Sequence, residues 1–163
     1  MLVATDERGM WRATATAVLL ALLTVACGGE PPTAEERIRA MLGEIERASR
    51  ERDVATLKGV ISEGYEDAHG RSQQDLHSLI TYHHFRQKQI YLFTRVEELE
   101  LAEPGAAELV LLAAMAGSPA ADLEALRDVR TDIYRFDLEL HDEDGDWRVV
   151  SADWRPAALD DFF

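Results

Sequence analysis

Between Ala34 and Arg155 the spacing of apolar residues changes once, from a period near 3.6 to a period of two. Ile38, Met41, Leu42, Ile45 and Ala48 recur at three- and four-residue steps, which puts them on one stripe of a helix. Glu35, Arg39, Glu46 and Arg50 fall on the other side. Thr33 and Glu36 stand at capping-box spacing ahead of it, and the helix is expected to run to about Arg52. Asp53 can cap a second, shorter helix with Val54, Leu57, Val60 and Ile61 inward, ending at Glu63-Gly64. Tyr65 to Arg71 reads as an irregular or extended piece turned by Gly70. Ser72, with Asp75 three residues on, opens a third helix whose inner face is predicted from Leu76, Leu79, Ile80 and His83.

From Ile90 the alternation is strand-like: Ile90, Leu92, Thr94 and Val96 against Tyr91, Phe93, Arg95 and Glu97, through Leu101. Glu103-Pro104-Gly105 is a turn, and Glu108 to Ala116 is apolar enough for a central strand. Gly117 to Arg130 interrupts the sheet, with one or two helical turns expected over Ala120 to Leu126. Thr131 to Asp142 places Tyr134, Phe136, Leu138 and Leu140 on one face and Arg135, Asp137 and Glu139 on the other. Glu143 to Asp146 turns a hairpin, Trp147 to Arg155 returns, and Pro156 ends the strand. Ala157 to Phe163 is expected as a short tail, either partly disordered or docked through Phe162-Phe163. Three helices followed by four strands, without alternation, make an α+β fold: helices on one face of a strongly curved antiparallel sheet.

The first 33 residues follow another pattern. Arg8 and Arg12 precede an uncharged apolar run from Ala13 to Ala26, which ends at Cys27-Gly28-Gly29. A basic start, an apolar stretch and a small residue before a cut are the parts of an export signal. The run is shorter than the roughly 20 residues a membrane-spanning helix needs. Cys27 is the chain's single cysteine, so an internal disulfide is excluded. Thr24, Val25 and Ala26 before Cys27 resemble the bacterial lipobox, in which the thiol receives a diacylglyceryl group and begins the mature chain. Gly28 after it resembles lipoproteins passed on to the outer membrane of Gram-negative cells, facing the periplasm. The resulting division is a signal peptide over 1–26, a lipidated Cys and tether over 27–33, a domain over 34–156 and a tail over 157–163.

The formal net charge is −14. Residues 1–26 hold two acids and two bases, so cleavage leaves it unchanged. Such a surface repels nucleic acid, which is excluded as a partner, and the membrane is reached through the lipid.

The order of elements resembles the nuclear transport factor 2-like superfamily, with its SnoaL-like and ketosteroid isomerase-like members. The resemblance rests on the long first helix, on Asp53 to Ser62, on Tyr65-Glu66-Asp67, on the third helix, and on the hairpin Ile133 to Trp154 with its phrase Gly145-Asp146-Trp147-Arg148-Val149-Val150-Ser151-Ala152-Asp153-Trp154. It implies a cone-shaped fold with a pocket between helices and sheet, and homodimers through the open sheet face. It does not fix an activity, because that scaffold carries many.

Enzymes of that superfamily place acids, or a His-Asp pair, inside the cone. The positions here that answer to them are Asp67 and Asp153; a carboxylate in an apolar pocket has a raised pKa and moves protons. His69 follows Asp67 by two residues, which on a strand puts both on one side and makes them the best acid–base pair on offer. The plainer reading has Asp67 bracing a turn, and Asp153 in solvent or paired with Arg135. Candidates to line a pocket are Tyr65, Tyr82, His83, Tyr91, Tyr134, Phe136 and Trp154, each of which also reads as core. His83 and His84 point about 100° apart on a helix and His77 is six residues away, so no metal site and no cofactor is expected. Phosphate loops and nucleophile elbows are missing. The expectation is therefore an envelope lipoprotein, non-catalytic, binding a small apolar ligand or a protein. The alternatives are a SnoaL-like isomerase, hydrolase or cyclase and a structural dimerisation module.

Overall fold

The computed structural model describes residues 30–87, 89–118 and 131–162; the signal segment expected over 1–26, Cys27 and the helical turns expected over Ala120 to Leu126 lie outside the described residues. Helix α1 spans Ala34–Glu51. Its start is the expected capping box: the Glu36 carboxylate accepts from the Thr33 amide at 2.8 Å, and Thr33 Oγ1 accepts from the Glu36 amide at 3.2 Å. Arg52 ends it in the left-handed conformation at φ 63°. Helix α2 spans Val54–Gly59, with the Asp53 carboxylate accepting from the Thr56 amide at 3.1 Å. It stops earlier than Glu63-Gly64 because Val60 to Ser62 leave the helix to pair with a strand edge. Helix α3 spans Gln73–Arg86, and Asp75 accepts from the Ser72 amide at 2.8 Å.

Strands β1 (Tyr91–Glu103), β2 (Ala106–Ala116), β3 (Thr131–Glu143) and β4 (Asp146–Pro156) form one antiparallel, unclosed sheet in sequence order. Register shifts at Val96/Glu98 and at Glu139/Leu140 bend it. The inner face carries Leu92, Val96 and Leu99 from β1 and Leu109, Leu111 and Ala113 from β2. From β3 and β4 it carries Leu138, Leu140, Trp147, Val149 and Ala152. These close on Ile38, Met41 and Leu42 of α1, on Ile61 and Tyr65, and on Leu76 of α3. Ile38, Leu109 and Leu140 are fully buried at the centre. Burying one such side chain contributes about 1.5–3 kcal/mol.

Each sheet edge is covered over part of its length. The outward amide of Thr94 on β1 donates to the Glu46 carboxylate of α1 at 2.6 Å. On β4, the Ser62 amide donates to the Val149 carbonyl and the Val149 amide to the Val60 carbonyl, at 3.0 and 2.8 Å. Covering unpaired strand groups in this way hinders strand addition at those positions. Arg37 of α1 ties the β3–β4 turn, meeting Asp142 at 2.6 Å and the Gly145 carbonyl at 3.0 Å.

The outer sheet face carries a second, smaller cluster of Leu112, Ala114, Ala116 and Ile133, with Tyr91, Phe93 and Ala157 packed on it. Within the C-terminal tail, Leu159–Phe162 forms a 3-10 turn, with Asp161 accepting from the Ala158 amide at 2.9 Å. The described residues from Thr33 onward form one compact unit. It contains both apolar clusters and the described hydrogen bonds, so it has what a domain needs to fold on its own.

The inner face of α3 differs from the predicted one. Leu76 and His84 are buried and Ile80 half-buried, at steps of four, whereas Leu79 and His83 are exposed. Leu79 and Ile80 are adjacent apolar residues, so the sequence offers two overlapping stripes, and packing selects the one led by Ile80.

Candidate functional site

The segment between α2 and α3 folds into a tight loop against β4. The Glu66 amide donates to the Val150 carbonyl at 3.1 Å. Glu66 also bridges to Ser72, and Gly70 takes φ 71°, the left-handed turn that favours glycine. The loop is organised around the Asp67 carboxylate. One oxygen accepts from the His69 amide at 2.9 Å and the Arg71 amide at 3.0 Å. The other accepts from the Tyr65 hydroxyl at 3.0 Å and from Arg71 Nε at 2.6 Å.

Four donors fill the roughly four lone-pair positions of a carboxylate. The Asp67 side chain is 1% exposed. Burial pushes its pKa up. The amide and guanidinium of Arg71, the Tyr65 hydroxyl and the His69 amide outweigh that and hold it at about 2. Burial, followed by the neighbouring carboxylate, pushes the Tyr65 hydroxyl well above its ordinary value. Asp67 is thus a fixed anion with no acceptor position left over.

Arg71 links this anion to the aromatic end of the sheet. Its guanidinium carbon lies 3.7 Å from the centroid of the Trp154 ring, a cation–π contact. Trp154 in turn meets Phe136 at 6.1 Å, and Phe136 meets Tyr134 at 6.4 Å. Sequence reasoning did not single out Arg71. An acid and an arginine four residues apart around Gly70 was the available signal.

The three acid–base candidates are neighbours, at one edge of the sheet. His69 Nε2 lies 3.4 Å from Asp153 Oδ1, with both side chains more than 60% exposed. Asp153 lies between Ala152 and Trp154, which both face the core, so strand alternation turns it to the outer face. His69 reaches it at the margin of β4, in water. His69 touches Asp67 only through its backbone amide.

The pocket candidates divide three ways. Tyr65 is core, and Phe136 and Trp154 pack against that core from the half-buried end beside Tyr134. Tyr82 and His83 stand exposed on α3, with ring centroids 5.6 Å apart. Tyr91 packs on the outer sheet face. The space between helices and sheet is occupied by the main core cluster. Two depressions among the described residues lie elsewhere. One, of about 340 Å³, is on the outer face between Arg135, Arg155, Leu112 and Asp161. Its arginines are already paired, Arg135 with Glu97 at 2.5 Å and Arg155 with Asp137 at 3.2 Å. The other, of about 430 Å³, runs along α3 from Gln74 and His77 to Tyr82 and Phe85, beside Lys58 of α2.

His84 is the buried polar group that the sequence left among its neighbours. Its Nδ1 meets the Ile80 carbonyl at 3.1 Å, and its Nε2 is buried without a partner. Burial lowers its pKa, with the charges of Arg52 and His83 adding to that. Among the described residues, no three His, Cys, Asp or Glu side chains are grouped as a metal site would require.

No protein-family model and no curated protein matches the sequence. Solved structures do match the fold. LinA superposes with a TM-score of 0.60 at 12% identity, over 77% of this chain and 86% of its own. A Streptomyces avermitilis protein of the nuclear transport factor 2-like family, assigned as a dehydratase, gives 0.59 at 14% identity, over 78% and 99%. A Novosphingobium aromaticivorans protein assigned as a scytalone dehydratase gives 0.60 at 9% identity, over 75% and 83%. The fold is nuclear transport factor 2-like. At these identities the likeness extends to the chain path and not to chemistry. Within that fold, the Asp67 loop sits at the β4 edge of the cone and α3 forms part of its helical cover.

Proposed function

We propose that the protein is a lipid-anchored envelope protein whose nuclear transport factor 2-like domain is a non-catalytic binding module, working through its surface rather than through an internal pocket. The observation that carries this reading is the condition of Asp67, the one buried carboxylate among the described residues. A proton shuttle needs a pKa near the working pH and a free lone pair aimed at a substrate. Asp67 is held at about 2 and spends its acceptor positions on its own loop. The core side chains that fill the cone point the same way. The anchor rests on Cys27 and the residues before it.

Two measurements test this. Labelled fatty acid is expected to enter the wild-type protein and not Cys27→Ser, with processing blocked by globomycin; an unlabelled, uncleaved wild type contradicts the anchor. Native mass spectrometry of the purified domain is expected to give the mass of the bare chain.

A second reading is favoured by one observation, the gathering of Asp67, His69 and Asp153 at one edge. The dehydratase assignments of two structural neighbours belong with it. On that reading His69 and Asp153 form the acid–base pair and the chain is an isomerase- or dehydratase-type enzyme. Their exposure weighs against it, because water competes for every proton they would move. A small molecule retained by the wild type and lost in His69→Ala would favour this second reading.

A further inference from the structure

The exposed side of α3 is unlike the rest of the surface in two independent respects. Four large apolar side chains stand exposed among the described residues, and three are on this helix: Leu79 at 39%, Tyr82 at 51% and Phe85 at 87%. They follow at steps of three, so they share a face. An isolated exposed leucine needs no explanation, but a stripe with a phenylalanine almost wholly in water does.

The second respect is charge. The chain holds 31 Asp and Glu residues, yet none occurs from Leu76 to Val96. Helix α2, whose Lys58 flanks the groove beside the stripe, has none either. Arg86 lies over the Tyr82 ring, 5.3 Å from its centroid, and donates to the Tyr82 hydroxyl. In a protein of net charge −14, this helix presents aromatic and basic groups with no carboxylate beyond Asp75.

We propose that this face of α3, led by Phe85 and Tyr82 with Arg86 and Lys58 beside them, docks on a phospholipid surface. The proposal rests on the anchored reading above, which supplies the membrane. Phe and Leu enter the boundary between headgroups and acyl chains, Tyr keeps its hydroxyl at the headgroup level, and Arg and Lys meet phosphates. The acid-free stretch removes the repulsion that a −14 surface otherwise meets at anionic lipid. The segment Gly28 to Pro32 reaches at most about 18 Å from Cys27. Phe85 lies near the far end of α1, where Arg52 meets the His84 and Gln87 carbonyls. That helix is about 27 Å long, so a domain lying along the bilayer on this tether presents the face at a high effective concentration.

The test separates docking from anchoring by replacing the anchor. Residues Glu30–Phe163 carry a histidine tag at the N-terminus and are held on vesicles of phosphatidylethanolamine and phosphatidylglycerol that contain a nickel-chelating lipid. This piece has no cysteine, so Gln87→Cys, one residue past the end of α3, takes a polarity-sensitive fluorophore alone. Tethering is expected to brighten it roughly twofold or more, as for a probe entering the interface. The same label at Glu44→Cys, on the exposed side of α1, is expected to stay at its value in water. Phe85→Asp should abolish the brightening while leaving the melting temperature unchanged. Equal signals at both positions, or brightening that survives Phe85→Asp, overturn the proposal. A probe on α3 that stays at its water value also overturns it. Because the nickel lipid stands in for Cys27, failure here leaves the fatty-acid labelling result standing, and the reverse holds too.

Discussion

The Asp67 loop and the outer face of α3 lie at either end of the same stretch of chain and invert what their residue types suggest. The loop holds an Asp, a His, a Tyr and an Arg, the stock of an active site, and uses nearly all of it on itself. The Asp67 carboxylate binds three residues of its own loop, and the arginine that helps neutralise it rests on Trp154. The α3 face holds Leu, Tyr and Phe, the stock of a core, and leaves them in water. Polar residues with every bond satisfied serve the fold, while apolar surface left in water is available for binding.

This contrast can be broken by mutation. The largest effect is expected for Asp67→Ala, which leaves the Arg71 guanidinium and the Tyr65 hydroxyl without their acceptor. Arg71 is 30% exposed, so the expected cost is about 3 kcal/mol, the lower end for breaking a buried pair, read by urea unfolding. Tyr65→Phe deletes one hydrogen bond to a charged group and should cost about 2 kcal/mol in the same experiment. Phe85→Ser sits at the other extreme. Although it removes a large apolar side chain, the expected change is within about 0.5 kcal/mol, because a surface group makes little contact to lose. A cost for Phe85→Ser equal to that of Tyr65→Phe would mean that α3 is packed in solution and that the contrast is misplaced.

Acid should sharpen the same comparison. The Asp67 pKa lies below its ordinary 3.8, so the stability it contributes is fully present above that value. It is lost as the pH falls toward about 2. Asp67→Asn should remove this component of the acid transition, whereas Phe85→Ser should leave the transition where it is.

Much of the fold was legible because its determinants are local. Thr33 with Glu36, Asp53 with Thr56 and Ser72 with Asp75 each mark a helix start within four residues, and each bond is made. The alternation from Ile90 to Val96 and from Ile133 to Leu140 sorts the two faces of the sheet as expected. What failed to read depended on distant partners. Whether His83 or His84 turns inward is decided by the core beneath Ile80, and the end of α2 is set by Val149, nearly 90 residues away. For the site, the turn-bracing alternative for Asp67 could be read from its neighbourhood. The pairing of His69 with Asp153 could not, because it requires the edge of β4 to be in place.

The central claim is that Asp67 is a structural anion, and the most direct measurement is the pH titration of its side-chain carboxyl carbon by NMR. The account predicts a midpoint at about 2, below the ordinary aspartate value of 3.8. A midpoint at or above that ordinary value would contradict it and return Asp67 to the list of groups able to carry a proton.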